Sequence, residues 1–211
     1  MFINPTYKIE NKLFRQGFRN IAGLDEAGRG AWAGPIVASA VILPPKLKII
    51  GLRDSKLLSP GRREALYVNI KKNAVGVGIG IVSEKIIDNQ GIISATRQAF
   101  LQAIDGLVGQ ADYLLIDGIK IFDHNLPYEF FVNGDKKIMS ISAASIIAKF
   151  TRDNILNEYH KQYPEYSFDK HKGYGTKLHQ EKILQHGVCA IHRISFKPIT
   201  YIDSKCSTKN R

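Results

Sequence analysis

Acidic residues are scarce in this chain: 19 Asp and Glu stand against 30 Lys and Arg in 211 residues, a formal net charge of +11. Sulfur is scarcer, with two cysteines, Cys189 and Cys206, that form neither a CxxC pair nor any other metal-ligand spacing. That argues against a disulfide-stapled or thiolate-metal scaffold and suits free thiols in a reducing cytoplasm. No run approaches the roughly 20 apolar residues that a bilayer crossing requires, and the opening MFINPTYKIENK lacks the apolar core of a secretion signal. The expectation is a soluble, cytoplasmic protein with no membrane partner. Internal repeats, low-complexity tracts, a long Pro/Gly/Ser linker and the GxxxxGK[ST] phosphate loop are also missing. His124, His160, His179, His186 and His192 show no ligand spacing with one another, and no role is assigned to them.

What remains is a globular composition carrying an unusual charge. With 44% hydrophobic and 23% charged residues, the chain is long enough to bury a core without staples. The basic excess is spread over both halves, and such a field concentrates polyanions. Nucleic acid is the first partner to consider and an anionic membrane surface the second. A merely soluble basic protein is the bland alternative.

Local patterning yields five strands and four helices. Residues 20–24 form a short apolar run ending at Asp25; 36–43 are β-branched and stopped by Pro44 and Pro45; 75–82 alternate Val/Ile with Gly. Residues 112–116 are another apolar run ending on an acid, Asp117, and 129–132 are a short fifth strand. Ser59-Pro60 starts a helix to about Lys72, N-cap serine followed by proline at the first helical position. Residues 92–107 read as a helix with Ile93, Thr96, Phe100 and Ile104 on one stripe, and 140–163 as the longest helix. A last helix over 176–185 is closed by Gly187, and 204–211 form a polar, basic tail. Strands first, then strand and helix alternating, predict an α/β fold: a mixed sheet with helices packed on it.

Asp25, Glu26 and Asp117 follow apolar strands directly, and Asp135 lies in a Gly-containing loop. Side chains at strand ends are rigidly held yet reach solvent, which suits metal ligands. If the first and fourth strands are neighbours, Asp25 and Asp117 lie side by side, and carboxylates that close raise one another's pKa unless a cation sits between them. Oxygen ligands without His or Cys favour Mg²⁺ or Mn²⁺ over zinc. Taken singly, each acid is as well explained as a turn former or helix cap. As a group they are not, because Gly28-Arg29-Gly30 follows at once. Glycines there allow close backbone approach to a ligand, and an arginine between them can meet a phosphate.

The run GLDEAGRGAWAGPIVASAVIL (23–43) resembles the opening of ribonuclease HII, the type 2 ribonuclease H. The resemblance continues through DSKL (54–57), LIDG (115–118), NGDKK (133–137), ISAASIIAK (141–149) and HKGYGT (171–176). These six blocks occur in the family's order over nearly the whole chain. The resemblance implies a ribonuclease H-like fold: a mixed five-stranded sheet flanked by helices, with a small helical C-terminal extension. The catalytic domain would cover residues 1–163, and the substrate-contacting extension and basic tail 164–211. It implies an endoribonuclease that cuts the RNA strand of RNA–DNA hybrids and incises 5′ of ribonucleotides embedded in duplex DNA. Two divalent ions, Mn²⁺ or Mg²⁺, would serve phosphodiester hydrolysis, leaving 5′-phosphate and 3′-hydroxyl ends.

Carried over position by position, the family's catalytic, metal-holding carboxylates fall on Asp25, Glu26, Asp117 and Asp135. Its element reading the 2′-hydroxyl falls on Gly28, Arg29 and Gly30, and its sugar-stacking tyrosine on Tyr174. Asp153 is a rival for the fourth acid; inside a helix it reads as a solvated or salt-bridged group, and it is retained as a residue standing behind the ligands. Lys56, Ser142, Ser145 and Lys149 are further candidates for substrate contact, the last three through the anion-favouring start of the long helix. Each of them is equally a cap or an exposed charge. His171 is a candidate for contact with the nucleic-acid backbone, and Trp32 reads as packing. A monomer acting on hybrid or ribonucleotide-containing duplex is expected. Two alternatives remain: a related nuclease such as a Holliday-junction resolvase or another type of ribonuclease H, and a nucleic-acid-binding protein without catalysis.

Overall fold

The computed structural model describes residues 4–52 and 58–202. Elements follow in the order α1 (Lys8–Arg15), β1 (Ile21–Ala27), β2 (Ile36–Ile42), α2 (Pro60–Asn73), β3 (Gly76–Val82) and α3 (Glu84–Asp105). Then come β4 (Tyr113–Asp117), β5 (Tyr128–Phe131), a 3₁₀ turn at Gly134–Lys136, α4 (Met139–Gln162), α5 (Phe168–His171) and α6 (Lys177–His186). The five strands form one sheet in the order β3-β2-β1-β4-β5. The first three strands pair antiparallel, while β1–β4 and β4–β5 are parallel. The sheet is therefore mixed, as the sequence pattern predicts.

Every residue of β2 is buried and nearly every residue of β1, because both faces of the sheet are covered. Alternation sorts the side chains. Ala22, Leu24, Ile36, Ala38, Ala40 and Ile42 meet α3 through Ala95, Ala99, Phe100, Ala103 and Ile104. The opposite face receives α2 and α4, with Val41 packed among Leu66, Ile70, Ala143, Ile146 and Ile147. Ser39, facing α4, donates its hydroxyl to the Ala144 carbonyl at 2.7 Å. The glycines of β3 mark close packing: a Cβ at Gly78 would lie 1.9 Å from the Ala103 carbonyl oxygen, and one at Gly80 2.0 Å from that of Ala99.

Several expectations shift. The helix expected over 92–107 begins at Glu84 and is interrupted at Gly91 (φ 80°), so its first turns escaped the apolar period. Ile93, placed on its buried stripe, is 57% exposed; Ala95, Ala99 and Ala103 take the inner face instead. β1 runs on to Ala27, which pairs with Val37, so Asp25 and Glu26 lie within the strand rather than after it. The expected caps form: Ser59 accepts from Arg62 N–H at 3.4 Å, and Gly187 closes α6 with its N–H on Ile183.

Residues 164–202 pack against the rest of the chain. Tyr166, Phe168, Ile183, Ile191, Ile199 and Ile202 form a cluster with Ala33 and with Leu156 of α4. The Gly-rich stretch after β1 is thereby enclosed between α4 and the C-terminal segment.

Candidate active site

β1 and β4 run parallel with Leu24 opposite Ile116, so the next residues along the two strands are Asp25 and Asp117. That adjacency was the condition set by the sequence, and it is met. Alternation turns Asp25 toward α4, where the Ser145 hydroxyl hydrogen-bonds it. Asp117 accepts the Gly134 N–H at 2.6 Å, which fastens the 3₁₀ turn carrying Asp135 to the end of β4. Asp25 is 6% exposed and Asp135 5%. Burial pushes the Asp25 carboxyl well above the usual carboxylate range, and the charges of Glu26, Asp117 and Asp135 push it the same way. Four acids thus converge, and the field at Asp25 is the one a cation would relieve.

The donor set fits a hard divalent ion, being carboxylates with no nitrogen or sulfur among them. As they stand, the side chains are not closed: among the described residues no group of three or more acids, histidines or cysteines encloses a metal-sized point.

A cleft of about 470 Å³ opens over this cluster, lined by Asp25, Glu26, Gly28, Arg29, Gly30, Arg63, Asp117, Ser145, Lys149 and Tyr174 among others. A larger cavity of about 700 Å³ lies between α2 and residues 49–52, but Ile49, Leu52, Leu58, Leu66 and Met139 make it apolar and it holds no acid. Arg29 is half-exposed at the cleft mouth, 3.7 Å from Glu26 in an ion pair too long and too wet to hold it. Lys149 bonds Asp153 at 2.6 Å and lies 5.2 Å from the centre of the Tyr174 ring. The sequence reading overlooked Arg63; it reaches the cleft from α2 and also pairs with Asp153 at 3.2 Å.

Of the two readings of Asp153 the salt-bridged one holds and the solvated one does not: it is 8% exposed, and Lys149 and Arg63 both pair with it. It stands behind Lys149 and Arg63 rather than lining the cleft. The helix-start reading does not extend to the first turn of α4. The first turn of α4 is buried, and Glu10 of α1 takes the Ser140 N–H and hydroxyl at 2.9 and 3.0 Å. Ser145 and Lys149 reach the cleft from later turns; Ser142 is fully buried and its hydroxyl meets no partner among the described residues. Lys56 lies outside the described residues.

Two buried arginines shape the Gly-rich stretch, and neither was legible as functional. Arg152 donates to the carbonyls of Pro35, Lys172 and Ala33 at 2.9, 2.8 and 2.9 Å. Arg193 donates to Gly34 twice, at 3.0 and 2.8 Å, and to Arg29 at 3.2 Å. Burial lowers both guanidinium pKa values, that of Arg193 to about 9, and besides these carbonyls the rings of Tyr174 and Phe196 lie against Arg152 and Arg193, each 5.2 Å from the guanidinium carbon. Gly28 has φ +98°, and a Cβ there would fall 2.0 Å from the Arg152 Nε.

Tyr174 sits on a turn held by histidines. His171, expected to have some chance of meeting nucleic acid, is instead buried, bonding Tyr166 O and Gly173 N–H at 2.8 and 3.2 Å. His179 bonds the Tyr174 carbonyl through Nδ1 at 3.0 Å and His192 through Nε2 at 3.1 Å. A carbonyl only accepts, so His179 Nδ1 carries the proton and its Nε2 accepts from His192 Nε2–H. His192 Nδ1 is then the acceptor for the Cys189 N–H at 2.9 Å. Burial lowers His179 to about 3 and His192 to about 4 from an ordinary 6.5. Trp32 packs here, its ring 5.7 Å from that of His179, as expected of a packing residue.

These histidines set a pH dependence. Each is neutral in the folded chain and takes up a proton on unfolding at any pH between its folded value and 6.5. Stability is therefore full above about pH 6.5 and is lost as pH falls, at ~1.4 kcal/mol per pH unit for each imidazole, until about pH 3–4. Asp25 and Glu10, whose pKa values are raised, work the other way. The melting temperature of His179→Gln is expected to fall less steeply between pH 6.5 and 4.5 than that of the wild type; equal slopes would contradict this assignment.

Comparison with known proteins adds to this geometry. The family described as ribonuclease HII matches residues 22–199. A ribonuclease HII of Acetivibrio thermocellus is 52% identical over 187 residues, 89% of this chain and 73% of that protein. The crystal structure of ribonuclease H2 from Pyrococcus horikoshii superposes with a TM-score of 0.76 at 26% identity, covering 89% of this chain and 99% of that one. Bst-RNase HIII, solved in complex with Mn²⁺, shares the fold with a TM-score of 0.70 at 16% identity, covering 94% of this chain and 73% of that one.

Proposed function

Since the chain belongs to the ribonuclease HII family, and is therefore a ribonuclease H endonuclease, we propose that it cuts the RNA strand of RNA–DNA hybrids and incises 5′ of ribonucleotides embedded in duplex DNA. The observation that carries this reading is the meeting of three elements in one cleft: the acids Asp25, Glu26 and Asp117, the Gly28–Gly30 turn and Tyr174. Asp25, Glu26, Asp117 and Asp135 would hold two divalent cations, Mn²⁺ or Mg²⁺. Bound there, such ions activate water, neutralise the scissile phosphate and stabilise the leaving 3′-oxygen, giving 5′-phosphate and 3′-hydroxyl ends. The raised pKa of Asp25 supports the assignment, because a buried carboxylate among three others gains most from a neighbouring cation.

Selectivity falls to the chain's own groups. A 2′-hydroxyl distinguishes RNA from DNA at a given position. The backbone of Gly28–Gly30 can hydrogen-bond it. The turn is already stiff, with Ala31 N–H on the Gly28 carbonyl at 3.2 Å and Arg193 on that of Arg29. The Tyr174 ring packs on the next sugar, where a further hydroxyl would clash. Arg63, Lys149 and Ser145 line the same cleft and face the phosphates, joined by Lys56 in the reading from sequence. The net charge of +11 adds affinity that is independent of base sequence and falls with salt.

The test is cleavage of a duplex carrying one ribonucleotide, with and without Mg²⁺ or Mn²⁺, the cut mapped at nucleotide resolution. Incision 5′ of the ribonucleotide only with metal is expected, and Tyr174→Ala should lower it at least tenfold. Preference for a four-way junction, or cleavage unaffected by chelator, would overturn the reading.

A further inference from the structure

We propose that Arg152 is the positioning residue that holds the Gly28–Gly30 turn and the Tyr174 turn at a fixed separation, and so sets discrimination for the RNA-to-DNA step. This rests on the function proposed above and adds the residue that joins its two reading elements.

The two elements come from distant parts of the chain, one following β1 and the other following α5. Arg152 touches both. Its Nε and Nη2 bind the carbonyls of Pro35 and Ala33, at the far end of the Gly-rich stretch, and its Nη1 binds that of Lys172, two residues before Tyr174. Its Cζ lies 5.2 Å from the centre of the Tyr174 ring. Its Nε occupies the space a Cβ of residue 28 would need. One planar group therefore meets the loop, the turn, the ring and the glycine.

The chemistry of the side chain explains why it is an arginine. Three carbonyls disposed around one plane are matched by N–H groups in a rigid fork, which a lysine ammonium on a flexible stem cannot reproduce. Arg152 is fully buried, and an unshielded charge there would be costly. The three carbonyls and the Tyr174 ring face offset that cost, and Asp153 lies close enough to favour the charged form. Relative movement of the two turns would break one of three charge-assisted bonds, so the separation is stiff. Direct contacts reinforce it: Trp32 and Ala33 both donate to the Gly173 carbonyl, at 2.8 and 3.3 Å.

A residue that only stabilised the fold would, when weakened, lower all activities together. A residue that sets the separation affects the substrate that needs both turns at once. In a duplex with a single ribonucleotide, the 2′-hydroxyl and the following deoxyribose must be met by the two turns simultaneously. In a hybrid with an uninterrupted RNA strand, many registers offer the acids a phosphate.

The experiment compares kcat/KM for these two substrates in wild type and Arg152→Lys, with cut positions mapped and melting temperatures recorded. The ratio of single-ribonucleotide to continuous-hybrid cleavage is expected to fall at least tenfold in the variant, with cuts spreading to flanking phosphates. A uniform loss that leaves ratio and cut positions unchanged would reduce Arg152 to a structural role and overturn the proposal. If Arg152→Lys does not fold, Arg152→Gln, which keeps a planar N–H donor, takes the same test with the same two outcomes. A wild type indifferent to the single ribonucleotide overturns the underlying function instead, which keeps the two failures apart.

Discussion

Asp25→Asn is expected to lower kcat by about a thousandfold or more while leaving hybrid binding within a few-fold of wild type. The substitution keeps shape and removes charge from the residue at the centre of the acid cluster. It carries a second, opposite consequence. Burial and three neighbouring acids oppose ionisation of Asp25, so in chelator the variant should melt higher than the wild type. Adding Mg²⁺ or Mn²⁺ should reverse the order. A cation at a hundred times its dissociation constant stabilises by ~2.7 kcal/mol, which at this chain length is a shift of roughly 5–10 °C. The wild type should show it and the variant should not. Near-normal turnover, or equal metal-induced shifts, would remove Asp25 from the centre of the chemistry.

Gly28→Ala should cost about a hundredfold in single-ribonucleotide incision with the fold retained. At φ +98° an L side chain is strained by ~1–2 kcal/mol. Its Cβ would also lie 2.0 Å from an Arg152 Nε that is itself bonded to Pro35. Displacing that buried guanidinium costs at least as much again. A combined ~3 kcal/mol taken out of the productive geometry corresponds to about two orders of magnitude in rate. Steady-state kinetics check it, and an alanine variant within threefold of wild type would show that the turn has room the structure denies.

Asp25 and Asp117 were legible because an apolar run that stops at a carboxylate is a local pattern, even though β1 itself continues to Ala27. Their convergence was not local; it needed β1 beside β4, which the sequence could pose only as a condition. The start of α3 was lost because Gly91 interrupts its period and Ile93 faces solvent. Arg152 and Arg193 were invisible as site-shaping residues because their partners are main-chain carbonyls, which carry no residue identity, and most lie more than a hundred positions away. Asp153 was half legible for a related reason: its helical neighbour Lys149 was readable, but Arg63, brought in by α2, was not. The histidines lack motif spacing because they hold a turn rather than bind a ligand.

The Gly-rich stretch also has an order of completion. Its residues lie between β1 and β2, yet the side chains that fix it are Arg152 and Arg193, bonded across 117 and 159 positions. The acids Asp25 and Asp117 can meet when β4 emerges, whereas the turn beside them waits for residue 193. A growing polypeptide can thus bring these two acids together well before it completes the turn that we propose reads the 2′-hydroxyl.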